Sequence, residues 1–248
     1  MATYVISDVH GMGDKFDALL KVLSPTDTIY VLGDVIDRGP DGIRILQTIM
    51  HDQRFKMILG NHEHMMLDFL ECLDVSLKNS LLQKEVMKKY TRWCVANGGE
   101  VTYSDYEKLD SNEQKEIRTF LKNLPVAYQN VQVGSHQFYL VHSKPGPKSL
   151  MHQEIVYRED ILEIDDLHSY IWNRPEYIDD YWLDDEDERI VVAGHTMTFN
   201  FHDTLEVFCA ADKNHKMRYI NIDCGCAMQN EDSKLACLCL DHLTIQYF

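Results

Sequence analysis

Nine side chains in this sequence have the types and the spacing to do chemistry together. Asp8 and His10 end the β-rich run Thr3 to Ser7, and an extended backbone points residues two apart to the same side. Gly33-Asp34-Val35-Ile36-Asp37-Arg38-Gly39 packs two carboxylates and a guanidinium between glycines, directly after the apolar run Thr28 to Leu32. Asn61 and His62 follow Phe55 to Gly60, His142 follows Gln137 to Val141, and His195 follows Arg189 to Gly194. Carboxylate, imidazole and amide donors without thiolate suit Mn, Fe or Zn better than a purely structural zinc. One carboxylate can bridge two ions about 3.5–4 Å apart, and such a pair activates water and clamps a phosphate. Any one of these clusters could be a polar strand end and a turn. Five of them, each directly after a predicted strand, point to one shared site.

The elements that would position them are legible from periodicity. Phe16, Leu19, Leu20 and Leu23 have helical spacing over residues 14–23, and Ile43, Leu46, Ile49 and Met50 mark a second helix opened by Pro40 and Asp41. Three short strands separated by two helices make a βαβαβ unit, with the polar clusters collected on one edge of the sheet. Residues 64–124 are rich in charge and helix formers, with candidate helices near 64–72, 81–95 and 112–123, and are expected to form a helical insertion or cap within a single domain, 1–248. Val126 to Val133 and Gln137 to Val141 alternate as a hairpin around Gly134-Ser135. β-rich runs at 189–193 and near 205–209, 217–222, 235–240 and 243–248 are expected to build a second, largely antiparallel sheet.

The chain has 248 residues, 45% of them hydrophobic, and a formal net charge of −16. That balance argues against a duplex nucleic-acid surface, which needs a basic face. An odd cysteine count, seven, in a long chain argues against a secreted disulfide framework. The N-terminus has no basic region ahead of a signal-length apolar run, and no stretch has the apolar length of a membrane span. A cytoplasmic protein without a membrane partner is the expectation.

Asp8-x-His10-Gly11, Gly33-Asp34-x-x-Asp37-Arg38-Gly39 and Gly60-Asn61-His62-Glu63 resemble the three signature motifs of the phosphoprotein phosphatase (PPP) family of calcineurin-like metallophosphoesterases. The short length is similar to the bacterial and phage branch, which includes phage lambda phosphatase and the symmetrical diadenosine tetraphosphatases. His142 and Gly194-His195 match the family's two later histidines. The resemblance implies an α/β fold, a four-layer α/β/β/α sandwich. It implies two divalent ions, Mn first and Fe or Zn as alternatives. Asp8, His10 and Asp34 would hold one ion, and Asp34, Asn61, His142 and His195 the other. Metal-bound water would attack phosphorus directly, His62 would protonate the leaving oxygen with Asp37 orienting it, and Arg38, Asn61 and Arg174 would hold phosphate oxygens. Arg174 is the looser match, placed after the apolar-aromatic strand end Ile171-Trp172-Asn173. The implied partner is a phosphorylated protein, through Ser/Thr or Tyr, or a small phosphorylated substrate. A dinucleoside polyphosphate is the alternative, and a non-catalytic phosphate-binding scaffold on the same fold is a rival of another class.

Other polar features read as ordinary surface or core. The acidic run 179–188 and the Glu113–Arg118 charges suit solvated faces, and Asn97-Gly98-Gly99 suits a turn. His64 suits a helix start, and Lys144, next to the fourth motif, is open between solvent and substrate. Cys224/Cys226 and Cys237/Cys239 have the spacing of one strand face and suit core packing more than a metal or redox pair.

Overall fold

The computed structural model describes residues 1–76, 82–161, 163–174, 176–181, 183–184, 186–228 and 230–248. β1 (Thr3–Ile6), β2 (Thr28–Val31) and β3 (Phe55–Met57) pair in parallel, with α1 (Gly13–Leu20) and α2 (Gly42–His51) crossing between them. Pro40 lies ahead of α2, where Asp41 occupies the cap position. Between β3 and β4 run α3 (Asn61–Ser76), α4 (Gln83–Tyr90), a π-helical turn at Thr91–Val95, α5 (Glu100–Tyr106) and α6 (Ser111–Lys122). Position 81, where the second expected helix begins, lies outside the described residues, as do 162, 175, 182, 185 and 229. In α6, Asp110 accepts from the Glu113 N–H while the Glu113 side chain accepts from the Asp110 N–H, a reciprocal cap that fixes where the helix starts.

The second half carries β4 (Pro125–Val133), β5 (His136–Val141), β6 (Ile155–Tyr157), α7 (Ile164–Ile171), β7 (Ile190–Ala193), β8 (Phe208–Ala211), β9 (Met217–Asn221), β10 (Ala236–Cys239) and β11 (Thr244–Tyr247). One sheet has the order β11-β10-β1-β2-β3, the other β6-β4-β5-β7-β9-β8. Two expectations change here. The last two strands leave the second sheet and extend the first, with β10 antiparallel to β1. All four residues of β10 are buried, so this strand needs both faces covered, and the edge beside β1 supplies that. The second sheet is mixed, because β5, β7 and β9 run parallel. Ile171, read from sequence as a strand end, instead ends α7.

Alternation along the strands builds the layers. Val5, Tyr30, Leu32, Phe138, Leu140, Val192, Ile220 and Leu238 form one core between the two sheets. Their neighbours Ile6, Ile29, Val31, Tyr139, Val141, Val191 and Tyr219 face outward into a core shared with the helices, among them Phe16, Leu46 and Ile171. This is the four-layer α/β/β/α sandwich. Neither family of residues could change face without a one-residue slip in register.

The cysteines are all free, and Cys224, Cys226, Cys237 and Cys239 are buried. Burial pushes the Cys224, Cys226 and Cys237 thiols up to about 12, which keeps them neutral and inert as core residues. No cysteine joins a possible metal group among the described residues. No described helix is long and apolar enough to cross a membrane.

Candidate active site

The parallel strands β1, β2 and β3 deliver their carboxyl ends to one edge, and β5 and β7 deliver His142 and His195 to the same place. The first two loops are laced together: the Asp8 N–H donates to Gly33 O at 3.1 Å and the His10 N–H to Asp34 O at 3.0 Å. Gly33 has φ +85°, and a Cβ there would lie 2.5 Å from the Gly60 backbone, so the second and third loops pack main chain on main chain. The two sheets are joined by the His195 N–H, which donates to Asp8 Oδ2 at 3.0 Å.

Asp34 sits at the centre. Its Oδ2 lies 3.8 Å from His10 Nε2, 3.9 Å from His62 Nε2 and 3.4 Å from His142 Nε2. Asp8 Oδ1 lies 3.9 Å from His10 Nε2, and Asn61 Oδ1 lies 2.9 Å from His142 Nε2. Two buried groups of donors, His10–Asp34–His62 and Asp34–His142–His195, each gather their ligand atoms within 4.8 Å, and Asp34 belongs to both. Every candidate from Asp8 to His195 is buried except Arg38, and Arg174 is likewise exposed.

The histidines are oriented from behind. His10 Nδ1 meets Ile36 O at 3.0 Å, His142 Nδ1 meets Leu32 O at 2.6 Å and His195 Nε2 meets Trp172 O at 3.1 Å. A carbonyl accepts, so each of these nitrogens carries a proton, and the other nitrogen faces the site, where it offers a lone pair once it carries no proton of its own. The donor chemistry therefore fits divalent cations on both sides of Asp34. His62 differs: its Nδ1 meets the carboxylate of Asp37 at 2.6 Å.

Electrostatics separate the same groups. Burial opposes charge on Asp34, but His142 and His62 beside it hold its carboxyl well below the usual range. Burial, helped by His62, drives His10 well below an ordinary histidine, and burial with His142 and Arg174 does the same to His195. Burial disfavours charge on His62 too, yet Asp34 and Asp37 outweigh it and raise its pKa. His142 is carried to about 9 against burial, by Asp34 and Asp8.

Backbone strain marks the same residues. Asp8, His10, Asp34, Asp37, Arg38 and His195 all have positive φ, between 46° and 73°. Non-glycine residues reach this region at a cost of order 1–3 kcal/mol each, and such strain concentrates at functional sites.

Several supporting residues had no role from sequence. Glu63 stands in the third motif; it accepts from the Asp34 and Val35 N–H groups at 2.8 Å each and from Gly60 at 3.2 Å, clasping two loops. Burial, with Asp34 nearby, lifts its pKa to about 7. Trp93 Nε1 donates to Asp37 Oδ2 at 2.8 Å, and the Asp37 N–H donates to Thr102 Oγ1 at 2.9 Å. No spacing signal could have found Trp93 or Thr102, which come from the helical segment. Glu63 could have been found from the motif itself, as a carboxylate beside three backbone turns. Arg174 Nη2 donates to His195 O at 3.1 Å, which brings it to the rim, and Arg38 Nη2 lies 3.3 Å from His62 Nε2. His64 is half-buried in α3, and burial, with Arg158 beside it, lowers its pKa to about 4.

Comparison with known proteins agrees with this geometry. The profile of the calcineurin-like phosphoesterases matches residues 1–220. The chain belongs to that family, whose members are phosphoester hydrolases dependent on divalent metal. It is 35% identical over 92 residues to a symmetrical bis(5'-nucleosyl)-tetraphosphatase of Neisseria gonorrhoeae, a match covering 36% of this chain and 33% of that one. It is 24% identical over 147 residues to the Delftia acidovorans protein of the same name, covering 58% and 44%. The matches thus span between a third and under half of these relatives. Among solved structures, a Saccharomyces cerevisiae serine/threonine phosphatase similar to human PP5 superposes with a TM-score of 0.58 at 12% identity, over 100% of this chain and 79% of that one. A structure described provisionally as a diadenosine tetraphosphatase gives 0.57 at 15% identity, over 99% and 92%. At such identities the likeness is one of fold.

Proposed function

We propose that the chain hydrolyses phosphate esters by direct attack of water on phosphorus, at two divalent cations sharing Asp34, and that its substrate is a dinucleoside polyphosphate. The observation that carries the reaction is that sharing: one buried carboxylate common to two donor groups, with a carboxylate-backed histidine beside it. Asp8 and His10 would complete one ion's ligands, and Asn61, His142 and His195 the other's. Divalent ions held there would lower the pKa of water and neutralise charge on a phosphoryl group, and Mn is the ion to use in vitro.

The remaining work falls to side chains. Arg38 presents a planar fork to phosphate oxygens, which lysine cannot imitate. His62, kept protonated by Asp37 and Asp34, gives its Nε2 proton to the leaving oxygen as the P–O bond breaks; the bond from the water oxygen forms on the opposite side of phosphorus. Arg38 Nη2 and His62 Nε2 are both donors in that state and stand 3.3 Å apart, an arrangement that suits an anionic oxygen between them. Trp93 and Thr102 hold Asp37, and Asp37 holds His62.

The tetraphosphatase name of the relatives supports the nucleotide reading, and so do Arg38, Arg92 and Arg174, which have no carboxylate partner among the described residues. A second reading is a phosphorylated Ser, Thr or Tyr side chain, favoured by the exposure of Arg38 and Arg174 at an open mouth. The test is a turnover panel with Mn comparing diadenosine tetraphosphate with phosphopeptides. A kcat/KM at least tenfold higher for the nucleotide is expected. The reverse order overturns the substrate, and no metal-dependent turnover of either overturns the reaction.

A further inference from the structure

We infer that Arg92 forms a second phosphate subsite at the mouth of the active site, which holds a phosphate adjoining the one under attack and so selects a polyphosphate chain over a phosphomonoester. The inference rests on the dinucleoside polyphosphate reading, and it is carried by the way one turn of the helical segment is fastened to the catalytic loop. The π-helical turn Thr91–Val95 widens the backbone at this point, a device that recurs at functional positions. Trp93 points inward and donates to Asp37 at 2.8 Å. A few residues on, Gly98 O accepts from the Arg38 N–H at 2.9 Å. The segment is therefore bolted to the loop that carries Asp37 and Arg38.

Arg92, next to Trp93, points the other way and lies over the ring of Trp172, with its guanidinium carbon 4.5 Å from the ring centroid. Trp172 adjoins the site: its carbonyl accepts a hydrogen bond from His195 Nε2 at 3.1 Å. Arg92 thus spans from the helical segment to the residue that orients a metal-ligand candidate. Stacking uses the face of the guanidinium and leaves its N–H edges free for a phosphate.

The charge pattern points the same way. Arg44, Arg54, Arg118 and Arg189 each pair with an aspartate. Among the described residues Arg38, Arg92, Arg158, Arg174 and Arg218 have no carboxylate within ion-pair distance; Arg218 is buried and donates to the Asp184 carbonyl, and Arg38, Arg92 and Arg174 are the three that touch His62, Trp172 and His195 of the site. In a chain with a formal charge of −16, guanidiniums left without carboxylates in one place are the complement of an anion with several charges. A single phosphoryl group is served by Arg38 and Arg174. Arg92 is the additional donor, and a chain of phosphates is the ligand that would use it.

The test uses the full chain loaded with Mn. The ratio of kcat/KM for diadenosine tetraphosphate to that for p-nitrophenyl phosphate is measured in the wild type, Arg92→Gln and Arg92→Lys. Arg92→Gln is expected to lower the ratio about 10- to 100-fold, mainly through KM, the size of one charge-assisted contact, and Arg92→Lys to recover part of it. An unchanged ratio, whether both substrates fall together or neither moves, overturns the inference and leaves Arg92 a strap on Trp172. A calorimetric titration of the metal-free chain separates the two layers. Inorganic tripolyphosphate should bind more tightly than orthophosphate, and Arg92→Gln should erase the difference. If that holds while diadenosine tetraphosphate is not turned over, the subsite stands and the nucleotide reading falls; if the wild type shows no preference for tripolyphosphate, the subsite itself is wrong.

Discussion

At the floor of the site Asp34 is buried, its Oδ1 accepting from the His62 N–H at 3.0 Å and its own N–H held by Glu63 at 2.8 Å. At the rim Arg174 is exposed, and among the described residues it keeps one hydrogen bond, to His195 O at 3.1 Å. The contrast extends to whole regions. The strand-end loops carry left-handed backbone at six polar residues, and those residues are tied by several bonds each. Away from the strand ends, residues 143–150 are largely half-buried, the described part of 175–188 is mostly exposed, and their Lys148–Asp184 pair is a surface contact worth little. Chemistry needs donors fixed before the substrate arrives, and substrate choice can be varied on exposed loops without touching the core. The floor sets the reaction and the rim sets what is brought to it.

Substitutions at the floor should therefore act on every substrate alike. The largest effect is expected from Asp34→Asn, which removes the shared carboxylate. Metal affinity should fall by more than the 10- to 100-fold typical of groups one layer behind a metal, measured by calorimetry, and turnover should vanish for all substrates. Retained affinity would mean that Asp34 is not shared. His62→Asn divides the floor itself: kcat for p-nitrophenyl phosphate should drop roughly 10²- to 10⁴-fold while Mn still binds. Unchanged turnover would remove His62 from the reaction, and lost Mn would make it a ligand.

The metal-free protein offers a pH test of the same floor. His142 is held at about 9, above its ordinary 6.5, by Asp34 and Asp8. A raised pKa in the folded state stabilises the fold fully below the ordinary value, and that contribution is lost as pH rises through about 9. The Tm of metal-free protein should fall across that window. Binding of a cation displaces the same proton, so Mn affinity should rise about tenfold per pH unit there, and a flat affinity would contradict the assignment. The smallest effect tests the one place where the helical segment enters the floor. Trp93→Phe removes a hydrogen bond to Asp37 worth about 1.5 kcal/mol, or roughly tenfold in kcat. An equal loss for nucleotide and phosphopeptide is expected, and a substrate-dependent loss would place Trp93 with the rim.

Much of the floor could be read from sequence because each polar cluster follows a short apolar run, and parallel strands send such ends to one edge. The links that come from far along the chain were invisible. Trp93 and Thr102 reach Asp37 across long stretches, and nothing local announces them. Helix α5, Glu-Val-Thr-Tyr-Ser-Asp-Tyr, is rich in β-branched and aromatic residues of modest helix propensity, and tertiary packing of Thr102 and Tyr106 holds it. Ile171-Trp172 looked like a strand end because a short apolar run has no period of its own. The placement of β10 depends on which sheet edge is free, and a single strand's pattern does not carry that information.

The most direct measurement is a Mn titration of the metal-free chain in which bound ions and p-nitrophenyl phosphate turnover are followed together. Two ions per chain, turnover that grows as the second site fills, and the loss of both in Asp34→Asn are the predicted result. Full turnover in the presence of EDTA, or two ions bound as well by Asp34→Asn as by the wild type, would contradict a reaction built on that shared carboxylate.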